Sequence, residues 1–374
     1  MASRRIEKDV ELRLMVASGG RCEFPGCNKY LLHDGMTFAA CIKGQKAHIW
    51  GFSQKGPRPN KLLTDSERND FSNLLLLCHE CHLRIDTNES TFSVQELKKH
   101  KMEHEDRIFR VTDIDPSKRT QIIMYKGKIV DRVGSIDYNM ASCAVVANGR
   151  YPEDSLGITI DQTNISPDAN RTYYKFFHDT LKQKVDTYIL SGGKDGLAHR
   201  HFSIFAISDI PLLIALGKML GDITTADVYE RFRDTADWIW KKHQPREEYK
   251  IYKEGTSRKI VALNLSLSGT IMNDLLRTCL DDRNAKIYTI TIKKPRVNSI
   301  RSQKQLALFK ATIRDVITNI QNENPRIEAI HVFPAMPVSS SVELGRCLLQ
   351  KGDVDMKIYD YDKAKGNFEY CLTL

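Results

Sequence analysis

The sequence has 374 residues, 41% of them apolar and 28% charged, with a net charge of +9 and a pI near 9.0. That length predicts two domains, or three if one is internally repeated, and the composition is that of an ordinary soluble globular protein. No apolar run reaches the roughly 18 residues that a membrane-spanning helix needs, and the charged N-terminus lacks a signal-peptide apolar core, so a cytoplasmic protein with no membrane partner is expected.

The basic balance suits a polyanionic partner. Residues 1–110 hold about a third of the excess charge, so no single segment is a basic tail. Nine cysteines is an odd number, and in a chain of this location a disulfide framework is not expected. Four of the nine form two close pairs. The other five (Cys41, Cys143, Cys279, Cys347, Cys371) are scattered and read as ordinary thiols.

In chain order, Ile6, Val10, Leu14 and Val16 carry a helical period over residues 4–18, stopped by Gly19-Gly20. Residues 21–90 are rich in Cys, His, Gly and Pro, the composition of a small metal-held domain. The first cysteine pair is Cys22-Glu-Phe-Pro-Gly-Cys27 and the second is Cys78-His-Glu-Cys81. Two such spacings about fifty residues apart can supply four thiolates to one tetrahedral zinc, with Pro25-Gly26 making the turn that folds the first pair back. The run Cys78-His79-Glu80-Cys81-His82 also matches a c-type haem attachment pattern. Haem attachment usually needs export, however, and would leave Cys22 and Cys27 unexplained.

A helix is predicted over 93–109, with Ser93 as N-cap and Glu96 as its capping-box partner. His100 and His104 lie on it at a metal-compatible i, i+4 spacing, but the lysines and Glu103 around them favour a solvated face.

Residues 111–135 read as a linker holding a short strand, 121–125, and a KGK turn. Beyond it, strands are predicted at 143–147, 187–192, 201–207, 261–267, 287–292 and 329–335, and helices at 172–184, 212–220, 226–240, 301–320 and 341–350. Such alternation predicts an α/β domain with a parallel sheet.

The region also holds a cryptic duplication. Phe205 and Phe333 each end a strand, a Pro-bearing turn follows, and Leu216-Gly217 and Leu344-Gly345 lie on the next helix, with twelve residues from Phe to Gly in both copies. Ligands of open α/β sheets sit at the carboxyl ends of strands, where both turns lie.

His48 in Ala47-His48-Ile49, Asn73 in Ser72-Asn73-Leu74 and His82 in Cys78-His79-Glu80-Cys81-His82, set between and beyond the cysteine pairs, resemble the HNH or ββα-metal nuclease family over roughly residues 20–106. The resemblance implies a zinc-stapled, treble-clef α+β domain. It assigns His48 as general base, Asn73 as the residue orienting the His48 ring through its amide, and His82 as a ligand of a catalytic Mg²⁺ or Mn²⁺ distinct from the structural zinc. An imidazole near neutral pKa suits proton removal from water, and a cation suits a phosphorane-like transition state. Asp86, one turn beyond His82, is a candidate second ligand. Many members carry a ligand where this chain has Ala47, so Asp86, Asp34 or a DNA phosphate would have to supply it.

Residues 136–374 resemble the SAVED domain, a fusion of two CARF-like Rossmann units, through 201–223, 227–240, 263–271 and 331–346. With the first 110 residues, the chain resembles HNH–SAVED effector nucleases of cyclic-oligonucleotide-based anti-phage signalling (CBASS). That implies a cyclic di- or trinucleotide ligand, a homo-oligomer (a dimer, or a higher assembly on ligand binding) and cleavage of double-stranded DNA with low sequence specificity.

Ser266, Ser268 and Thr270 beside Gly269, and Pro337, Ser339 and Ser340 with Ser341 at a helix start, are candidate phosphate contacts. Lys194 and Arg200 could reach a phosphate, and Trp238 could stack on a base, although Ser339–Ser341 would serve equally as a helix cap. No GxGxxG follows a strand, and residues 191–196 complete neither that pattern nor a Walker motif. The competing reading is a zinc-containing DNA-binding regulator whose C-terminal domain senses a small molecule without catalysis.

Overall fold

A computed structural model describes residues 5–34, 37, 39–129, 132–133, 135–165, 173–191, 200–221, 225–348 and 354–374. The chain divides into two compact units, residues 1–115 and 116–374.

In the first unit, α1 (Lys8–Ala17) packs Leu14 onto a hairpin of β1 (Gln45–His48) and β2 (Leu74–Leu77). The two strands pair antiparallel, with Ala47 opposite Leu75 and His48 opposite Leu74. The hairpin's long connection holds the short α2 (Asp65–Arg68), started by a Thr64–Glu67 capping box. Helix α3 (His79–Thr87) begins directly after β2, and α4 (Val94–Thr112) closes the unit.

The Ser93 hydroxyl accepts from Glu96 N at the start of α4, as the sequence predicts. The expected solvated histidine face does not occur. Val94, Leu97, Lys101 and His104 are the buried residues of α4, and His104 Nε2 lies 3.0 Å from the Ser18 carbonyl at the end of α1. The small core of Leu14, Ile49, Leu74–Leu77, Ile85 and Leu97 is completed by the cysteines themselves.

The second unit holds two sheets. The first is built on β3 (Arg119–Lys126), whose middle is wholly buried. Residues 111–135 are therefore not a linker: their apolar run is long enough to form a central strand, and α4 reaches Thr112. Two short strands follow, β4 (Lys128–Ile129) and β5 (Arg132–Val133), then α5 (Tyr138–Ala147), β6 (Tyr151–Pro152), β7 (Ile158–Asp161) and α6 (Tyr173–Val185). Next come β8 (His201–Ile207), α7 (Ile210–Leu220) and β9 (Thr225–Val228). The strand order is β6-β3-β8-β9, with β7 also on β3, and all these pairings are parallel.

The second sheet comprises β10 (Tyr249–Glu254), β11 (Val261–Ser266), β12 (Lys286–Ile292), β13 (Ala329–Ala335), β14 (Asp355–Asp362) and β15 (Asn367–Thr373), in the order β10-β12-β11-β13-β14-β15. Its four central strands are parallel and its two edges antiparallel. Helices α8 (Asn273–Cys279), α9 (Gln303–Glu323) and α10 (Val338–Arg346) cover it.

Three predicted elements take other forms. Residues 143–147 end the helix α5 instead of forming a strand, because Ala141, Ala144 and Val145 share one face and pack on Ile122 and Phe205. Asp186–Leu190 is a π-helical turn continuing α6, not a strand. Residues 226–240 are not a helix: after β9 the chain folds irregularly, with a bridge between Phe232 and Asp237 and a left-handed Ala236.

The duplication predicted from Phe205/Phe333 and Gly217/Gly345 is realised as two equivalent strand–helix units, β8–α7 and β13–α10, whose helices pack on each other at the paired glycines. A Cβ on Gly217 would lie 2.0 Å from Val342 O, and one on Gly345 would lie 1.9 Å from Ile214 O. Only a hydrogen at both positions lets the backbones approach this closely.

Candidate functional site

The Cys22–Cys27 loop turns at Gly26, whose φ of +77° is the left-handed backbone that glycine tolerates. The Cys78 N–H, at the N-cap of α3, donates to Cys22 Sγ at 3.3 Å. The four thiols Cys22, Cys27, Cys78 and Cys81 converge with all sulfur atoms within 4.8 Å of one another, and Cys27 Sγ lies 3.8 Å from Cys78 Sγ. Tetrahedral Zn–S bonds of about 2.3 Å set sulfurs roughly 3.8 Å apart, so the cluster fits a metal ion such as zinc. Burial pushes the Cys22 thiol up to about 12. Burial also raises the Cys81 thiol, whereas at Cys78 hydrogen bonds from Cys81 and the other thiols outweigh burial and lower it; a bound metal ion favours the thiolate form.

Beside this cluster lies a cleft of about 630 Å³, lined by Gln45, Lys46, His48, Phe52, His82 and Asp86 among others. The hairpin brings His48, at the end of β1, opposite helix α3, which carries His82 and Asp86 one turn apart. The structure thus gathers three of the sequence-predicted site residues in one place. His48 Nε2 lies 3.1 Å from Asn69 Oδ1. That amide oxygen only accepts, so Nε2 carries the proton and Nδ1 is the basic nitrogen. His82 Nδ1 lies 2.8 Å from Gln45 Oε1, and its Nε2 lies 3.4 Å from Asp86 Oδ2. Burial works to raise the Asp86 carboxyl, but the neighbouring His82 and Arg58 side chains outweigh it and hold the group below its ordinary value.

Asn73 does not orient the His48 ring. Its Oδ1 accepts from Trp50 N at 2.8 Å, and its Nδ2 donates to Trp50 O at 3.0 Å and Arg68 O at 2.9 Å. It staples the backbone two residues beyond His48, because a buried amide satisfies all its donors and acceptors best on unpaired main chain. The ring contact belongs to Asn69, which no sequence signal marked. Ala47 is fully buried in the apolar core, and Asp34 pairs with Lys43 and accepts from Thr37 N outside this cleft. Of the carboxylates weighed as substitutes for a ligand at position 47, only Asp86 reaches the cleft. His82 Nε2 and Asp86 Oδ2 fit a divalent ion in donor type and spacing.

Sequence reasoning also missed Arg58. Its guanidinium, almost fully buried, donates to Ile49 O at 2.9 Å, Ile85 O at 2.6 Å and Asp86 Oδ1 at 2.7 Å. A single side chain thereby ties the strand bearing His48 to the helix bearing Asp86.

In the second unit the candidate ligand residues are less gathered. Ser266 and Thr270 line one polar cleft of about 330 Å³ with Tyr252, Asn273, Thr289 and Thr291. Ser266 Oγ donates to Asn264 Oδ1 and accepts from Ile271 N, shaping the loop after β11. Ser268 is half-buried, and its N–H donates to Ala335 O at the end of β13.

Pro337, Ser339 and Ser340 are buried. Ser339 gives its N–H and hydroxyl to Glu230 Oε2 at 2.8 and 2.6 Å, while Ser340 and Ser341 donate to Pro337 O. These serines act as an internal helix cap in which the Glu230 carboxyl is the acceptor. Burial pushes that carboxyl up to about 7, partly offset by the Ser339 bonds.

Trp238 is not available to stack on a base: it is buried edge-on against Phe205, ring centroids 5.2 Å apart. Arg200 precedes β8 at the amino end of that strand, where it bonds Gln121 and Glu153, so it stands apart from the carboxyl-end candidates. Lys194 lies outside the described residues. No helix among the described residues is long and apolar enough to cross a membrane.

Comparison with known proteins bears on this second unit. The family model described as the SMODS-associated and fused to various effectors sensor domain, SAVED, matches residues 181–374. No curated protein matches the chain. Among solved structures, the chain is similar to the Acinetobacter baumannii Cap4 SAVED/CARF-domain containing receptor with the cyclic trinucleotide 2'3'3'-cAAA. The identity is 11% over 79% of this chain and 61% of that one, with a TM-score of 0.47. The same receptor with 3'3'3'-cAAA gives 12% identity over 78% and 61%, with a TM-score of 0.44. The Moraxella osloensis Cap4 receptor gives 11% identity over 84% and 70%, with a TM-score of 0.38. This chain spans about three fifths of the length of the Acinetobacter receptors. Matched by the family model over more than half its length, the chain belongs to the SAVED family of sensor domains.

Proposed function

We propose that the first unit forms an HNH endonuclease domain that hydrolyses double-stranded DNA, and that the SAVED-bearing second unit switches it on when a cyclic di- or trinucleotide binds, in anti-phage defence. The observation that carries the nuclease reading is the convergence of His48, His82 and Asp86 on one cleft beside the four-cysteine cluster. On this reading His48 Nδ1 takes a proton from a water whose oxygen attacks phosphorus. The P–O bond to the leaving sugar oxygen then breaks, and that oxygen is protonated from solvent. A divalent ion held by His82 and Asp86 supplies charge neutralisation on the phosphate. Asn69 holds the imidazole ring, and Asn73 holds the backbone that carries it. The sensing half of the proposal follows from family membership: a ligand that favours the active assembly shifts the population toward cutting by its differential affinity for that state.

The test is supercoiled plasmid incubated with the full chain and Mg²⁺ or Mn²⁺, with and without a panel of cyclic di- and trinucleotides. Nicking and linearisation with one ligand are expected, and His48→Ala should abolish cutting while keeping zinc and DNA binding. A wild-type protein that cuts nothing under any of these conditions is instead a zinc-containing DNA binder. Equal cutting without ligand sinks the gating.

A further inference from the structure

We infer that Gln45 and Arg58 are the positioning residues of the candidate cation site, each engaging one donor atom of a metal-binding side chain and leaving the other aimed into the cleft. The inference rests on the nuclease reading for what the ion does, but not for where the ion sits.

Consider His82 first. Its Nδ1 is 2.8 Å from Gln45 Oε1, and Gln45 Nε2 is 3.2 Å from His79 Nδ1. An amide with its NH₂ on one imidazole must present its oxygen to the other. Gln45 Oε1 therefore accepts from His82 Nδ1–H, and His82 Nε2 keeps the lone pair. Fixing the ring by a hydrogen bond from its far nitrogen to an oxygen is how proteins orient histidine ligands.

Asp86 is treated in the same way. Arg58 takes Oδ1 at 2.7 Å, and Oδ2 is the oxygen that faces His82 Nε2 at 3.4 Å. Two donors about 2.1 Å from one cation, at angles between square and tetrahedral, lie roughly 3.0–3.4 Å apart. The pair is thus set at ligand spacing, with Asp86 held to one oxygen.

Arg58 can do this because it cannot swing. Its other nitrogens donate to Ile49 O and Ile85 O, and its side chain is 5% exposed. Its backbone N–H, at a left-handed φ of 50°, donates to Glu89. The planar fork reaches strand, helix and carboxylate at once, which a lysine, with one point of donation, does not.

The test uses the zinc-loaded full chain. Mn²⁺ binding is followed by electron paramagnetic resonance, and the His82 tautomer by two-bond ¹H–¹⁵N correlation near pH 8. Wild type is expected to bind one Mn²⁺ and to show His82 protonated on Nδ1. Gln45→Ala should lose the tautomer preference and weaken Mn²⁺ binding about 10- to 100-fold. Gln45→Glu, which keeps the acceptor, should restore most of the affinity. Arg58→Lys should weaken Mn²⁺ binding comparably, and His48→Ala should leave it unchanged. Gln45 is half-exposed at the cleft, so its variants carry the decision even if Arg58→Lys fails to fold.

His82 protonated on Nε2 in wild type, or Mn²⁺ affinity within about twofold in Gln45→Ala, overturns the inference while leaving the nuclease reading intact. Mn²⁺ bound as expected, with no DNA cut under any condition, overturns the nuclease reading alone. A wild-type protein with no Mn²⁺ site beside its zinc overturns both.

Discussion

The pair Gly217 and Gly345 gives a prediction whose size can be worked from geometry. In Gly217→Ala the new methyl would sit 2.0 Å from Val342 O and 2.9 Å from Arg346 N, both backbone atoms of α10. A carbon–oxygen contact relaxes near 3.4 Å, so α7 and α10 must part by roughly 1.4 Å. A gap of about 0.5–1 Å already forfeits a quarter to a half of each dispersion contact. Both helices contribute to one apolar core, in which Leu213, Leu216, Val342 and Leu344 are wholly buried. Overpacking costs roughly 1–3 kcal/mol, and this clash, backbone against backbone with no rotamer to yield, belongs at or above the upper end. Replacing a helical glycine by alanine returns about 1 kcal/mol. The net is a loss of about 2–3 kcal/mol, a fall of roughly 4–12 °C in the melting temperature of the second unit. Differential scanning calorimetry of the full chain measures it. Gly269→Ala is the control: nothing lies within 4 Å of its added Cβ, and it should be neutral or stabilising by a few tenths of a kcal/mol. An unchanged or raised melting temperature for Gly217→Ala would refute the close helix approach.

Two further predictions concern the metal and a buried acid. Stripping the four-cysteine metal, or replacing Cys27 by Ser, should unfold the first unit while the second keeps its transition. The first unit's core is small, and structural zinc contributes on the order of 10 kcal/mol to such domains; hydrogen exchange in α3 and α4 reads the loss, and protection surviving in metal-free protein would sink the claim. Burial raises the Glu230 carboxyl from its ordinary 4.5 to about 7. The folded state thus prefers its protonated form: its contribution is fully present below about pH 4.5 and is lost as the pH rises through 7. The slope sums to on the order of 3 kcal/mol, and Glu230→Gln should remove it from urea-denaturation stabilities measured between pH 4.5 and 8. A wild-type slope persisting in the variant would assign it to another group.

What the sequence makes legible follows from what close spacing can encode. The cysteine frame, His48 and His82 are short-range patterns, and the structure gathers them. The Phe205/Phe333 and Gly217/Gly345 repeat was visible because a helix crossing without Cβ atoms leaves only glycine as a solution. Arg58 was not legible: its three principal acceptors lie 9, 27 and 28 residues away, and a lone arginine after a proline reads as surface. Asn69 and Asn73 are chemically identical amides four residues apart, and only coordinates say which holds the ring and which the backbone. Residues 226–240 carry Tyr229, Phe232 and Trp238, all buried, at a spacing close to helical. Their burial is achieved by an irregular fold instead, in which Phe205 stacks on Tyr229 and meets Trp238 edge-on.

The two copies of the duplicated unit diverge at one atom, and the divergence explains Glu230. In the first sheet Ile204 pairs with Val228, and in the second Val332 pairs with Ile358. With Phe205 equivalent to Phe333, Glu230 and Asp360 are therefore mates across the duplication. Each carboxylate stands near the start of the other copy's helix, yet they take different partners. At the second helical position α10 has Ser339, whose N–H and hydroxyl both bind Glu230. The same position of α7 is Pro211, which has no N–H to offer. Asp360 instead accepts from the Tyr174 phenol of α6 at 2.6 Å, and Tyr173 donates to Asp209 beside it. Proline at the start of α7 thus removes the main-chain anion site that its mate retains, and two adjacent tyrosines satisfy the acids left there. The symmetric scaffold thus carries unlike chemistry at its two helix starts.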